Sequence, residues 1–242
     1  MIVGAARGAA SERRPILIVT GLPQEARIAA GPGMKVVCSS SAPQQLRGLL
    51  RTLDPSGVRG IVSFGVAGGL DPSLRPGDVV VATEVVAGES RWRTASALTR
   101  DLAATPGLDR TRMIDGVLAG SETIVVTAVG KAELRWCTGA AAVDMESHIA
   151  ADYASANRLP FAALRVIADP ATRTLPAIAL DAIDPDGRIN PWKVLRGVAR
   201  RPHVIPDLLR VARDFNRAIA GLRGCRSLLF AGAGQGLVAA DL

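Results

Sequence analysis

The chain has 242 residues, a length that suits one large α/β domain; 48% of them are hydrophobic and only 3% aromatic, so the core is built from Ala, Val, Leu and Ile. The net charge of +7 is concentrated late in the chain, with ten Lys or Arg and only Asp207 and Asp214 as acids between Arg188 and Arg226; without interleaved aromatics this is not a nucleic-acid surface. Cys38, Cys137 and Cys225 lack paired spacing, which argues against a disulfide framework or a metal knuckle, and no apolar stretch approaches ~18 residues, so neither a membrane span nor a signal peptide is expected.

Residues 1–14 read as a flexible start, 15–224 as a single domain and 225–242 as a disordered tail. Pro15 to Thr20 (PILIVT) is a buried first strand. Gly21-Leu22-Pro23-Gln24-Glu25 turns the chain into a helix from about Ala26 to Ala30. Glu25 therefore stands at a strand-to-helix junction, the edge where open α/β folds hold ligands. It is either a favourable acid in the first helical turn or a functional group. Val36 to Cys38 suggests a second strand, and Pro43 to Leu53 a helix with Leu46, Leu49 and Leu50 inward.

In Gly60 to Leu70 (GIVSFGVAGGL), Ile61 to Phe64 reads as a strand. Gly65, Gly68 and Gly69 then form a loop whose backbone N–H groups can face a phosphate or the edge of a small polar ligand. The spacing does not fit the dinucleotide fingerprint. Arg75-Pro76-Gly77-Asp78 is a tight turn, and Val79 to Val86 alternates as a further strand. Residues 88–113 are polar and carry weak strand signals. Short apolar segments, Gly116 to Ala119 and Ile124 to Thr127, flank Ser121-Glu122, and Lys131 to Thr138 suits a short helix.

Residues 139–173 organise the rest. Asp144 can cap a helix that starts near Met145, in which Ile149, Tyr153 and Ala156 recur at helical spacing. Phe161 to Ala168 is an apolar run typical of a strand covered on both faces, and it stops at Asp169-Pro170. A helix of about 12 residues is roughly 18 Å long and a strand of about 7 residues roughly 23 Å. Packed antiparallel, they return Glu146 to the neighbourhood of Asp169. The plainer alternative is a surface cap, a solvated Glu146 and a strand-ending turn. Beyond lie a proline-containing loop (171–185) and two basic helical patterns, Pro191 to Arg201 and Val204 to Leu222. In the second, Leu208, Val211, Ala212, Phe215 and Ile219 form one stripe, with Arg210, Arg213 and Arg217 elsewhere. It is either a helix packed on the domain or one that touches a membrane surface. His148 reads as structural and His203 as a surface residue, and neither belongs to a metal set.

Four segments, in order, resemble the nucleoside phosphorylase superfamily and its branch of methylthioadenosine/S-adenosylhomocysteine nucleosidases: IVTGLPQEA (18–26), FGVAGGLDPSLRPGDVVV (64–81), AVDMES (142–147) and VIADPA (166–171). Within it, TGLPQEARIAA and LPFAALRVIADPA look most like the hopanoid-associated phosphorylases, which process adenosylhopane. The resemblance implies a three-layer α/β/α fold around a central mixed, largely parallel sheet. It implies an enzyme that cleaves the N-glycosidic bond of a 5′-substituted adenosine. Asp169 is then the acid that protonates the purine at N7, and Glu25 activates the attacking water. Glu146 hydrogen-bonds the ribose hydroxyls, with Met145 packed on the sugar. Gly65, Val66, Ala67 and Gly68 line the ribose and base, and Ile124 and Val125 lie over the adenine.

Three departures from the family pattern bear on the acceptor and the substrate. Val66 replaces a serine that contacts sugar or phosphate, and Glu25 stands where the phosphorylase branch has a phosphate-binding arginine. Both favour hydrolysis, although Arg27 lies two positions on and the closest subfamily is named for phosphorolysis. Ile124 replaces an aromatic that stacks on adenine. No cofactor is implied, with inorganic phosphate the only candidate co-substrate. The acceptor stays open, as do the small thioether nucleosides as substrates and a nucleoside-binding protein without catalysis. A homo-oligomer is expected, located in the cytoplasm, with residues 188–226 as a peripheral contact to the inner face of a membrane.

Overall fold

In a computed structural model, residues 14–95, 112–176 and 202–229 are described. β1 (Ile16–Thr20) is buried throughout, and α1 (Pro23–Ala29) follows at once because Pro23 presets the first helical turn. β2 (Met34–Cys38), α2 (Pro43–Arg51) and β3 (Gly60–Gly69) come next, then β4 (Val79–Ala87), β5 (Ser90–Arg93) and β6 (Met113–Gly120). α3 (Ala128–Thr138) is capped by the Thr127 side chain and ended by Gly139 in the left-handed region (φ 70°). β7 (Ala142–Asp144), α4 (Ser147–Ala156), β8 (Phe161–Asp169) and α5 (Ile205–Gly224) complete the described strands and α-helices.

The strands form one mixed sheet in the order β2-β1-β3-β7-β6-β4-β5, and β8 pairs with both β3 and β4. Five pairings are parallel and three, β3–β7, β4–β5 and β4–β8, antiparallel. Strands β3, β8, β4, β6 and β7 thus close into a ring, with β1 and β2 extending from β3. Alternate residues feed two cores. Leu17, Val19, Ile61, Val80 and Ala163 pack with Leu46 and Leu50 of α2 and Ile149, Ala150 and Ala154 of α4. Ile16, Ile18, Val62, Val79 and Leu164 pack with Ile28 of α1 and with Ala218, Ile219 and Leu222 of α5. The expected three layers are present, because a sheet covered on both faces needs apolar residues at successive positions.

Several boundaries differ from the sequence reading. β3 does not stop at Phe64. Its parallel pairing with β8 continues through Val66 and Ala67, and Gly68 and Gly69 then pair with β7, so the glycine segment is sheet rather than loop. Leu49 is 39% exposed, and only Leu46 and Leu50 of α2 turn inward. On α4 the buried face is Ile149, Ala150, Ala151 and Ala154, and Ala156 is exposed. On α5, Ala212 is exposed and the inward stripe takes in Asp214. The chain stays helical from Arg226 to Leu229, with Cys225, Leu228 and Leu229 buried, so it is still packed beyond residue 225. The expected flexible start up to residue 13, the Pro191–Arg201 helical pattern and residues 230–242 lie outside the described residues, as do 96–111 and 177–185 of the segments read above.

Candidate active site

At the end of the ring lies a cavity of about 250 Å³. Glu25, Val66, Ala67, Gly68, Ile124, Val125, Met145, Glu146 and Asp169 are all on its wall. Of the residues read as its lining, Gly65 alone is not. A Cβ at Gly65 would lie 2.4 Å from Nη1 of Arg165 and 2.7 Å from both carboxylate oxygens of Glu25, so this glycine admits those side chains rather than a ligand. Arg27, the alternative anion ligand, is exposed and off the wall.

Each acid arrives from a different place in the fold: Glu25 from the first turn of α1, Glu146 from the turn before α4 and Asp169 from the end of β8. Glu25 is 1% exposed. Its Oε2 accepts from the backbone N–H groups of Gly21 and Leu22 and its Oε1 from that of Val66, each at 2.8 Å. The Val66 N–H expected to face a ligand is therefore taken by Glu25. Burial pushes the Glu25 carboxyl up, against the pull of Arg165 and of these three donors. Glu146 precedes α4; Gly21 lets it approach, since a Cβ there would lie 2.8 Å from its Oε1. That oxygen accepts from Ser39 Oγ at 3.1 Å. Burial drives the Glu146 carboxyl up to about 7, Arg165 opposing and Asp144 and Glu25 adding to it. Neither the solvated Glu146 nor the surface Asp144 of the plainer reading is found. Asp144 is buried, and it caps the turn by accepting from the N–H groups of Glu146 (3.1 Å) and Ser147 (2.8 Å).

The residue that holds these acids together is Arg165, which is fully buried on β8. It donates to Asp144 through Nε and to Ser63 and Ser147 through Nη2, and lies 3.7 Å from Glu146. Its Nη1 has no hydrogen-bond partner among the described residues and points toward Gly65 and Glu25. Asp169, at the end of β8, pairs with Lys131 of α3. Burial raises its carboxyl, and Lys131 and Arg173 pull it down. On the far side, Glu122 bridges Arg47 of α2 and His148 of α4, which hold it down at about 2, and it thereby anchors the segment carrying Ile124 and Val125. Leu175, Val211 and Phe215 add apolar side chains to the cavity wall.

Sequence reasoning did not single out Arg165, Lys131 or Ser39. Arg165 did carry a signal: a lone cation in an apolar strand covered on both faces requires buried counter-charges. Lys131 carried none, since it reads as a solvent-facing residue of a short helix. Among the described residues no cluster of His, Cys, Asp and Glu is arranged to hold a metal ion.

Fold and site together define an enzyme of the phosphorylase–nucleosidase class. Residues 6–200 match the model of the phosphorylase superfamily, and the chain belongs to that superfamily. No curated protein matches it by sequence. Among solved structures it is similar to the methylthioadenosine/S-adenosylhomocysteine nucleosidase of Helicobacter pylori (16% identity, TM-score 0.65, 90% of this chain and 97% of that one). It is similar also to the futalosine hydrolase of the same organism (16%, 0.65, 91% and 97%). A third is the nucleosidase of Colwellia psychrerythraea in complex with adenine (17%, 0.65, 91% and 94%). At these identities the likeness is one of fold.

Proposed function

We propose that this enzyme releases adenine from a 5′-substituted adenosine by hydrolysis of the N-glycosidic bond. The observation that carries the reading is the convergence of Glu25, Glu146 and Asp169, from three separate stretches, on one small cavity. Cleavage makes an oxocarbenium-like sugar and an anionic purine. A partly buried carboxylic acid at Asp169 supplies the proton at N7, and Glu146 accepts from the ribose hydroxyls. Glu25, oriented by three backbone donors and facing Arg165, takes the proton of the attacking water. Water rather than phosphate is supported by charge: Arg165 is surrounded by Asp144, Glu146 and Glu25, which would repel an oxyanion.

For the 5′ group, the apolar wall residues Leu175, Val211 and Phe215 support a hydrophobic substituent, and the resemblance points to adenosylhopane. A membrane-resident substrate also accords with α5, which exposes Arg210, Arg213 and Arg217 together with Ile205 (40%) and Leu209 (62%). A second reading, methylthioadenosine or S-adenosylhomocysteine, is favoured by the cavity's volume of about 250 Å³, which suits a compact nucleoside. For the expected homo-oligomer the support is the exposed apolar pair Val129 (68%) and Trp136 (90%) on α3.

The test is adenine release from adenosylhopane in detergent and from the two thioether nucleosides, with and without phosphate. Release without phosphate, reduced roughly 10²- to 10⁴-fold by Asp169→Asn, is the expected result. A requirement for phosphate with a ribose 1-phosphate product would replace hydrolysis by phosphorolysis. Preference for the thioethers would select the second reading.

A further inference from the structure

Lys131 is 1% exposed, and its ammonium donates to Oδ2 of Asp169, to the Pro170 carbonyl at 3.0 Å and to the Arg173 carbonyl at 3.1 Å. An ammonium has three N–H donors, so all are engaged. A buried lysine is unfavourable unless paired, and this one is paired to a single oxygen of the acid. The carboxyl lies beside Gly68 on the cavity wall, where a Cβ would lie 3.4 Å from Oδ1 and 3.7 Å from Oδ2, and of the two oxygens Oδ1 is the one that Lys131 leaves unengaged. The surrounding segments are joined as well. Ala128 N–H donates to Thr174 Oγ1 at 3.2 Å and Leu175 N–H to the Val126 carbonyl at 2.9 Å.

We propose that Lys131 is the positioning residue of the proton donor: it locks Oδ2 of Asp169, leaves Oδ1 to face the purine, and neutralises the carboxylate left when the proton departs. The inference rests on Asp169 being the acid of the proposed reaction. In that step the Asp169 O–H bond breaks as N7–H forms, and the electron pair of the C1′–N9 bond passes into the purine. Asp169 is left negative beside the ammonium. Lys131 keeps its own protons throughout, and the water proton goes to Glu25.

The charged groups facing Asp169 are Lys131 from α3, Arg173 from the segment after β8 and Asp214 from α5. Arg173 is itself paired with Asp214, so Lys131 is the cation left to Asp169. The donor works only when protonated, so kcat/KM falls as pH rises through its pKa. Removing the ammonium raises that pKa further. In Lys131→Met the alkaline limb is expected to move up by roughly one to three pH units. Its plateau kcat falls roughly 10²-fold, with KM little changed. Lys131→Arg keeps the limb in place and part of the rate. A para-nitrophenyl riboside, whose leaving group needs no proton, is expected to lose much less rate than the adenosine in both variants. An unmoved limb, or equal losses on the aryl riboside and the adenosine, overturns the proposal. If Lys131→Met does not fold, the ratio of the two substrates in Lys131→Arg decides by the same criterion. An unmodified enzyme that releases adenine from no 5′-substituted adenosine overturns the reading of the site itself, and this one with it. An active enzyme with an unmoved limb overturns only the role of Lys131.

Discussion

Glu146 shares one cation, Arg165, with Asp144 and Glu25, and each acid repels the others. Its carboxyl is raised from 4.5 to about 7, so the neutral form is the one the fold favours. The associated stability is complete below about pH 4.5 and is lost as pH rises through about 7. The ligand-free protein is therefore expected to be more stable at pH 5 than at pH 8, with a slope of at most ~1.4 kcal/mol per pH unit from this group. Urea unfolding of Glu146→Gln should show that slope reduced; an unchanged slope would mean that Glu146 stays ionised. The three wall acids were legible in the sequence because each borders a strand or a turn at the same sheet edge. Of their cations, Arg165 left a signal in its apolar strand but Lys131 left none. A lysine's partner is set by tertiary packing, and helical spacing cannot tell the solvent-facing Lys from one buried against Asp169.

At the level of elements, the strand–turn–helix order, the burial of β1 and the two-sided burial of β8 followed from apolar runs punctuated by Gly and Pro, whereas Val79 to Val86 read as an alternating strand although Val79, Val80, Val81 and Ala82 of β4 are all buried. The far end of β3 did not follow from them. Glycines usually break a strand, but here the partners β8 and β7 supply the pairing that local propensity denies. Gly65 marks the difference between a glycine required by its neighbours and one that is merely tolerated. Gly65→Ala forces a Cβ into Arg165 and Glu25, and is expected to destabilise by about 1–3 kcal/mol and to abolish most activity. Gly48→Ala in α2 meets nothing within 4 Å and should stabilise by roughly 0.5–1 kcal/mol. Thermal or denaturant unfolding of the pair checks both signs. A neutral Gly65→Ala would mean that Arg165 and Glu25 can move apart freely.

Across the whole molecule, charge is uneven: the net +7 has its excess late in the chain, and α5 presents arginines on the outside while Val211 and Phe215 line the cavity. Binding to vesicles rich in anionic lipid is expected at low salt, weakening as salt is added. No binding to such vesicles, or equal binding to neutral ones, would remove the membrane from the account. Among the described residues no helix is long and apolar enough to cross one. Composition did reveal this asymmetry, but not that the same helix seals one core and walls the site, since that depends on how α5 crosses β8.

The closed ring has a consequence for the time course of synthesis. β8 is the last of its strands to leave the ribosome, and it seats between β3 and β4 while carrying both Arg165 and Asp169. Before Phe161 emerges, β3 and β4 each lack a neighbour, and Asp144, Glu146 and Glu25 lack their common counter-ion. A nascent chain of that length exposes open strand edges that invite association with other chains. Closure of the ring, neutralisation of the three acids and delivery of Asp169 to the cavity all wait for β8, so the architecture and the candidate site are completed by the same strand.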